Sequence, residues 1–364
     1  MRALIFHGPD LPLEVATRDE RPVLSDGQVR VRILCTTICG SDLHTLHGRR
    51  STATPAILGH EIVGIVDEVS GTDVQSIDGR GVSPGDRVTW SVVVPCGSCM
   101  ACRRQRSAGC TARFKYGHES DVCAPWSGGL AEVCLLRRGT AIAHVPNGLD
   151  DALAASAACA GATAAAALRR AGGVIEDHVV VFGTGLLGLS LIDFAKQAGA
   201  RHVVAVDVDA TRLERARAFG ADAVVLTAGR DGADVDVLAS LRAFCTEGFD
   251  AAFECSGSSA AAQTAIASLA VLGRAVLVGA VFKSANIELA PEDLVRRRLS
   301  VFGQHNYEPE DLVTALGYLA ASRAPYAGCF GAALSFEDFA QLSSTSAASA
   351  THSGQLRSVV VPAR

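Results

Sequence analysis

The chain has 364 residues, is 49% hydrophobic and 20% charged, and carries a formal net charge of -5. That length allows roughly two domains with sizeable cores. The mild acidic balance gives no support to nucleic acid as the main partner, which calls for a strong basic excess.

The opening MRALIFHGPD holds only a short apolar run, too brief for the core of a signal peptide. No uninterrupted apolar stretch reaches the about 18 residues of a membrane span. The Ala-rich run from Leu153 to Leu168 ends on Arg169 and Arg170. The expectation is a soluble, cytoplasmic protein with no membrane partner. Thiols stay reduced in that compartment, so clustered cysteines point to metal or catalysis before disulfides.

Through the first part of the chain, QVRVRILCTTI and IVGIVDEVS alternate, and Gly, Pro, Asp and Ser separate such runs. This predicts short strands in an irregular β domain over residues 1–160. The texture then changes. HVVVFG, HVVAVDVD, DAVVL, DAAFECSG and RAVLVGAV read as apolar strands; LLGLSLIDFAKQAGA and ATRLERARAFGA read as helices between them. Strands alternating with amphipathic helices predict a doubly wound α/β domain over 161–298, its parallel sheet covered on both faces. Residues 299–364 hold the helical EPEDLVTALGYLAAS, the Ser/Ala-rich LSSTSAASATHSG, read as a loosely ordered surface loop, and a closing strand LRSVVVPA. This portion is too short for a domain and is expected to pack back on the first one.

Four cysteines fall close together in PCGSCMACRRQRSAGC: Cys96, Cys99, Cys102 and Cys110. Zinc takes four thiolates in a tetrahedron, and two-residue gaps let one turn present several sulfurs to one ion. Unconnected thiols and an iron–sulfur cluster are the alternatives. With all four positions filled by protein, such a metal ties a loop together and does no chemistry.

The reactive candidates lie elsewhere. Cys39 opens CGSDLH, His60 sits in GHE, and Cys159 lies in AACAGAT. Three protein ligands with one open position is the arrangement of a catalytic zinc. Asp42 can accept from the His60 ring and fix its tautomer. Ser41 can pass a proton from a metal-held alcohol, and His44 can carry it to solvent. Glu61 is either the buried partner of an arginine or a transient further ligand.

In VVVFGTGLLGLSL, Gly183, Gly185 and Gly188 form a GxGxxG pattern between a strand and a helix, the context a dinucleotide site needs. Gly183 permits the turn, Gly185 lets a pyrophosphate approach, and Gly188 allows close helix–strand packing. The helix start at Leu186 and Leu187 supplies N–H donors. Asp207 ends the next strand. Its carboxylate suits ribose hydroxyls and repels a 2′-phosphate, which favours NAD over NADP. Arg212 is a candidate for the adenine end, a plain surface arginine being the alternative.

Taken together, CGSDLH, GHE, the four-cysteine segment, Cys159 ahead of Thr163, and GTGLLG with Asp207 resemble the zinc-dependent medium-chain alcohol dehydrogenase family over essentially the whole chain. The resemblance implies a GroES-like catalytic domain joined to a Rossmann domain. It implies two zinc ions per chain, catalytic on Cys39, His60 and Cys159 and structural on the four-cysteine segment. It further implies NAD, with Thr163 near the nicotinamide, and homodimers or homotetramers built through the Rossmann domains. The Ser/Ala-rich C-terminal segment departs from many members.

For the substrate, HGRRST offers Arg49 and Arg50, and FKYGHE offers Lys115 and His118. Lining a substrate cleft, these would favour an anionic alcohol, since arginine forks suit phosphate-like and carboxylate groups; solvated surface charge is the plain alternative. HTLHGRRST, FKYGHE and GGLAEVCLL also resemble a branch of the family associated with phosphonate breakdown. The competing expectations are a polyol or threonine-type dehydrogenase with an uncharged or zwitterionic substrate, and a zinc- and NAD-binding sensor or interaction protein without turnover.

Overall fold

A computed structural model describes residues 1–362 apart from 10, 20, 228–235 and 344–354. Most of the Ser/Ala-rich run, expected to be a surface loop, lies outside the described residues. The chain divides into two compact units: Met1–Ala162 with Glu308–Ala320 and Tyr326–Arg364, and Thr163–Tyr307 with Ala321–Pro325.

The first unit is built on a seven-stranded sheet. Its centre is the long strand Val29–Thr37, antiparallel to Glu61–Val69, Val133–Leu136 and Arg357–Val360. Val29–Thr37 is buried except at Arg32 and Leu34, and its Val29, Val31 and Ile33 lie in a core shared with Ile57, Leu58, Ile62, Leu130, Phe336 and Phe339. The register sets Thr37 opposite both Glu61 and Val359. Arg357, two residues before Val359, therefore lies on the same face as Val359. The closing strand adds to this sheet from the far end of the sequence.

The second unit holds six parallel strands in the order Ala223–Leu226, His202–Asp207, His178–Phe182, Phe249–Glu254, Leu269–Leu277, Ser300–Gly303. By sequence this is 3-2-1-4-5-6, the doubly wound order. The centres of its strands are apolar because both faces are covered: Val180, Phe182, Val204, Val206, Phe249 and Ala252 are all buried. One expected boundary moves. The expected C-terminal return begins at 299, yet Ser300–Gly303 pairs in parallel with Leu269–Leu277 and completes this sheet. A short apolar strand carries no mark of which sheet edge it will join.

The helical run Asp151–Arg170 is apolar enough to cross a membrane by length and composition, and 83% of its apolar window is buried inside the protein. Asp150 caps it, accepting from the N–H groups of Ala152 and Leu153. Its middle, Ala157–Gly161, widens into a π-turn before Ala162–Arg170 resumes as α-helix.

Candidate metal centres and dinucleotide loop

Cys39 stands at the start of the short helix Gly40–Leu46, with Ser41, Asp42 and His44 on that helix. His60 immediately precedes the strand Glu61–Val69. Cys159 sits in the π-turn, a local feature often found where a side chain is re-aimed for function. The ligand atoms of Cys39, His60, Glu61 and Cys159 all lie within 4.8 Å of one another. The two sulfurs are 3.9 Å apart. Thiolates on a tetrahedral zinc, each about 2.3 Å from the ion, stand about 3.8 Å from one another. The donors and their spacing thus fit zinc.

The surroundings of this cluster are themselves tied down. Asp42, buried, accepts from His60 Nδ1 at 3.0 Å and from the Cys39 N–H at 3.0 Å. That fixes the ring so that Nε2 is the free nitrogen, and Ser41 Oγ lies 3.4 Å from it. Burial opposes charge on His60, but Asp42 and the Cys39 sulfur outweigh it and raise the ring to about 10. The Cys159 thiol, with help from Arg357 and His60, holds Cys39 well below the ordinary thiol range. Cys159 is pushed up in turn by that same neighbour and by burial. Burial lowers His44, with Arg49 and His47 adding to it, so its neutral form is favoured.

Glu61 is fully buried and held from two sides. Thr37 Oγ1 donates to it at 2.5 Å, and Arg357 Nε lies 3.1 Å from Oε2. Burial raises Glu61 to about 7 against the pull of Arg357. Arg357 Nη2 also reaches Cys39 Sγ at 3.7 Å. Sequence reasoning missed Arg357, although an arginine in an otherwise apolar last strand was a visible signal.

The second cysteine group is local. Cys96 Sγ and Cys99 Sγ stand 3.9 and 3.5 Å from Cys102 Sγ, and the Cys96 N–H points at Cys110 Sγ at 3.3 Å. All four sulfurs lie within 4.8 Å of one another, again a zinc-like spacing. N–H groups of Cys102 and Thr111 lower Cys99 to about 5. Ser98, through its N–H and its hydroxyl, lowers Cys96 to about 7. Burial and the neighbouring sulfurs raise Cys102 to about 12. Glu308 fastens this segment to the start of the helix Pro309–Ala321, accepting from the Ser107 hydroxyl and from the Ala108 N–H at 3.3 Å.

In the second unit, Gly183 has φ +89, and a Cβ there would meet Ser256 N at 2.8 Å. A Cβ on Gly188 would meet Gly183 O at 1.9 Å, whereas Gly185 has nothing within 4 Å. The first and third glycines thus allow the turn and the packing, and the second leaves an open face ahead of Leu186 and Leu187, the first residues of the helix Leu186–Gln197. Asp207 is buried and tied to this loop: Oδ2 accepts from Thr184 N at 2.6 Å and Thr184 Oγ1 at 2.7 Å. Arg212 faces Asp209 at 3.8 Å on its own helix. Thr163 is half-buried on Ala162–Arg170. Sequence reasoning did not single out Glu254, at the end of the adjacent strand. Its Oε1 takes the Ser256 and Gly257 N–H groups at 2.6 and 2.7 Å, and its buried Oε2 has no partner among the described residues.

Of the basic candidates, three are drawn together and one is not. Arg50 Nη1 lies 3.3 Å from His118 Nε2, and the His118 ring centroid is 5.0 Å from that of His60. Burial, Arg50 and Arg113 lower Lys115 to about 8. Arg49 is exposed, and its influence falls on His44 instead.

A model described as "Alcohol dehydrogenase GroES-like domain" matches residues 25–147, and one described as "Zinc-binding dehydrogenase" matches 187–321. The chain is 31% identical over 309 residues to a sorbitol dehydrogenase of Halalkalibacterium halodurans, covering 82% of this chain and 83% of the relative. It is 29% identical to a D-arabitol-phosphate dehydrogenase of Enterococcus avium (82% and 81% covered) and 32% identical to an L-threonine 3-dehydrogenase of Burkholderia mallei (77% of each). An alcohol dehydrogenase from Thermotoga maritima superposes with a TM-score of 0.90 over 100% of this chain and 99% of its own, at 23% identity, a likeness of fold. The chain belongs to the zinc-dependent medium-chain alcohol dehydrogenase family. It is accordingly an oxidoreductase that works with zinc and a nicotinamide dinucleotide.

Proposed function

We propose that the protein catalyses the reversible oxidation of an alcohol carrying an anionic group, with Cys39, His60 and Cys159 holding the catalytic zinc and hydride passing to NAD. The observation that carries the reading is the gathering of these three side chains, with the two sulfurs 3.9 Å apart, from positions 120 residues apart in the chain. When bound, zinc supplies a Lewis acid for the substrate oxygen, and the nicotinamide accepts the hydride.

The chain's own residues do the rest. Asp42 orients the His60 ring through its Nδ1 hydrogen bond. Ser41, beside His60 Nε2, takes the hydroxyl proton. His44, kept neutral by burial, passes it outward. Arg357 and Thr37 hold Glu61 as a buried counter-charge; its oxygen is close enough to the other donors to serve as a further ligand. Cys96, Cys99, Cys102 and Cys110 hold a second zinc that braces the segment. In the dinucleotide unit, Gly183, Gly185 and Gly188 admit the pyrophosphate. Asp207, fixed by Thr184, favours a ribose diol over a 2′-phosphate.

Two features favour an anionic alcohol: Arg50, Lys115 and His118 gather beside His60, and a relative at 29% identity is named for a phosphorylated polyol. A polyol or threonine-type substrate is the second reading, favoured by the names of the sorbitol and threonine relatives. None of the twelve cysteines is joined in a disulfide, which supports a cytoplasmic setting. Exposed Val271, Leu272, Val281 and Phe282 in the dinucleotide unit support assembly into homodimers or homotetramers through that unit. The test is metal analysis combined with absorbance at 340 nm over a panel of alcohols, with NAD against NADP. Two zinc ions per chain and NAD reduction are expected. One zinc and no turnover would instead identify a zinc- and NAD-binding sensor.

A further inference from the structure

A cavity of about 1020 Å³ lies within the first unit and takes no part in the chemistry above. Pockets that hold small organic molecules run to about 300–1,000 Å³. Arg32 and Leu34, the two positions at which the strand Val29–Thr37 is not buried, both line it, beside Cys35 of the same strand. Leu153 of the helix Asp151–Ser156, Phe330 of the strand Phe330–Leu334 and Val359 of the strand Arg357–Val360 add further apolar lining. Four carboxylates also line the cavity, and each is already engaged. Asp67 holds Arg21 and Arg30, Asp151 holds Arg87, Asp150 caps its helix, and Glu132 accepts from the Arg2 N–H at 2.9 Å. Of the cations on the lining, Arg21 pairs with Asp67 and the Met1 ammonium donates to Arg18 O at 2.6 Å. The Arg32 side chain has no ion pair or acceptor among the described residues.

Two of the lining elements lead to the mixed metal centre. The strand that carries Cys35 runs on to Cys39, four positions later. The helix that carries Leu153 runs straight into the π-turn that carries Cys159, six positions later. A molecule seated in the cavity therefore touches both thiol-bearing segments at once.

We propose that this cavity is an effector site for an apolar monocarboxylate, of the class of a medium-chain fatty acid, whose carboxylate pairs with Arg32 while its hydrocarbon covers Leu34, Leu153, Phe330 and Val359. A guanidinium fork matches a carboxylate, and the hydrocarbon gains by leaving water. An amine finds no free carboxylate there, and a small polar acid covers none of the apolar lining. The binding goes beyond the reaction above and does not depend on it; only the coupling to the metal centre rests on Cys39 and Cys159 holding zinc. By linkage, an acid that holds both segments tightens zinc, and zinc tightens the acid by the same factor.

Titration calorimetry on the zinc-loaded protein compares octanoate, octylamine and acetate. Octanoate is expected to bind at least about tenfold more tightly than either of the others. Arg32→Gln should weaken octanoate at least about tenfold. Ala333→Trp, which fills the cavity from an exposed lining position, should abolish its binding. Saturating octanoate should also raise the affinity for one of the two zinc ions at least about threefold in competition with a chelator, in the wild type and not in Ala333→Trp. No binding of octanoate, equal binding of octylamine, or wild-type affinity in either variant overturns the site; octanoate bound at the reaction site instead would leave both variants at wild-type affinity. Binding with no change in zinc affinity overturns the coupling and leaves the site standing. A protein that binds octanoate in this way but oxidises no alcohol upholds the site while the reaction reading fails.

Discussion

The two thiol clusters have similar sulfur spacing and opposite architecture. The lobe takes its sulfurs from neighbours in sequence, with Cys96 and Cys110 only 14 positions apart and only Cys110 buried. The other site joins Cys39 to Cys159 across 120 positions and mixes sulfur with an imidazole and a carboxylate. The lobe is closed by four equivalent donors, so its metal has only a bracing task. The mixed site surrounds its donors with Asp42, Ser41, Arg357 and Thr37, each tuning or aiming a group. Chemistry is found where the fold gathers unlike donors from remote places and then supports each of them.

Removing donors on each side puts that contrast to the test. Cys159→Ala should lower turnover about a thousandfold or more and reduce zinc from two ions to one per chain, with the lobe metal retained; metal analysis beside the NAD assay reads both. Asp42→Ala leaves all ligands in place but frees the His60 ring. It should cost about 10–100-fold in activity or in zinc retention against a chelator. An effect as large as that of Cys159→Ala would mean that Asp42 is needed for folding. Cys102→Ser should also lower zinc to one ion, yet its main effect should be on stability, with a fall of several degrees in Tm and easier cleavage near Arg103–Arg106, while correctly folded molecules keep turnover within about tenfold. If Cys102→Ser abolished activity in folded protein, the division of labour between the clusters would fail.

The smallest expected effect concerns the charge beside the mixed site. Lys115 falls to about 8, mainly through burial and Arg50. Between that value and its ordinary 10.5 the unfolded chain binds more protons, so this group's contribution to stability rises with pH across that window. Its destabilising effect is full below pH 8. Lys115→Met should therefore melt higher than the wild type at pH 7, and the gap should narrow towards pH 10. A gap independent of pH would mean that Lys115 carries no such penalty.

Much of this was readable from the sequence for local reasons. The parallel strands announced themselves because burial on both faces demands continuous apolar runs such as HVVVF and HVVAVD. The lobe and the glycine loop were legible because their partners lie within a few residues. Arg357 was not, since its partner Glu61 lies 296 positions away and is reached only through the strand order of the sheet. Arg49 and Arg50 look identical in sequence. Only the turn after Gly40–Leu46, closed by the Arg49 and Arg50 N–H groups on His44 O, separates an exposed charge from one that reaches His118. The strand Ser300–Gly303 went to the other sheet because pairing edges are decided in three dimensions.

The wide turn at Ala157–Gly161 has a consequence for how this helix can change. A π-turn is one residue longer than the α-turn it replaces, and each residue of an α-helix turns about 100° around the axis. Point changes among its alanines keep the thiol's bearing. Loss of a single residue upstream would restore regular winding and swing position 159 about a quarter turn away from Cys39. The length of this helix thus sets the thiol's bearing, and indels here should be selected against strongly, beside the ordinary intolerance of its buried alanines to larger side chains.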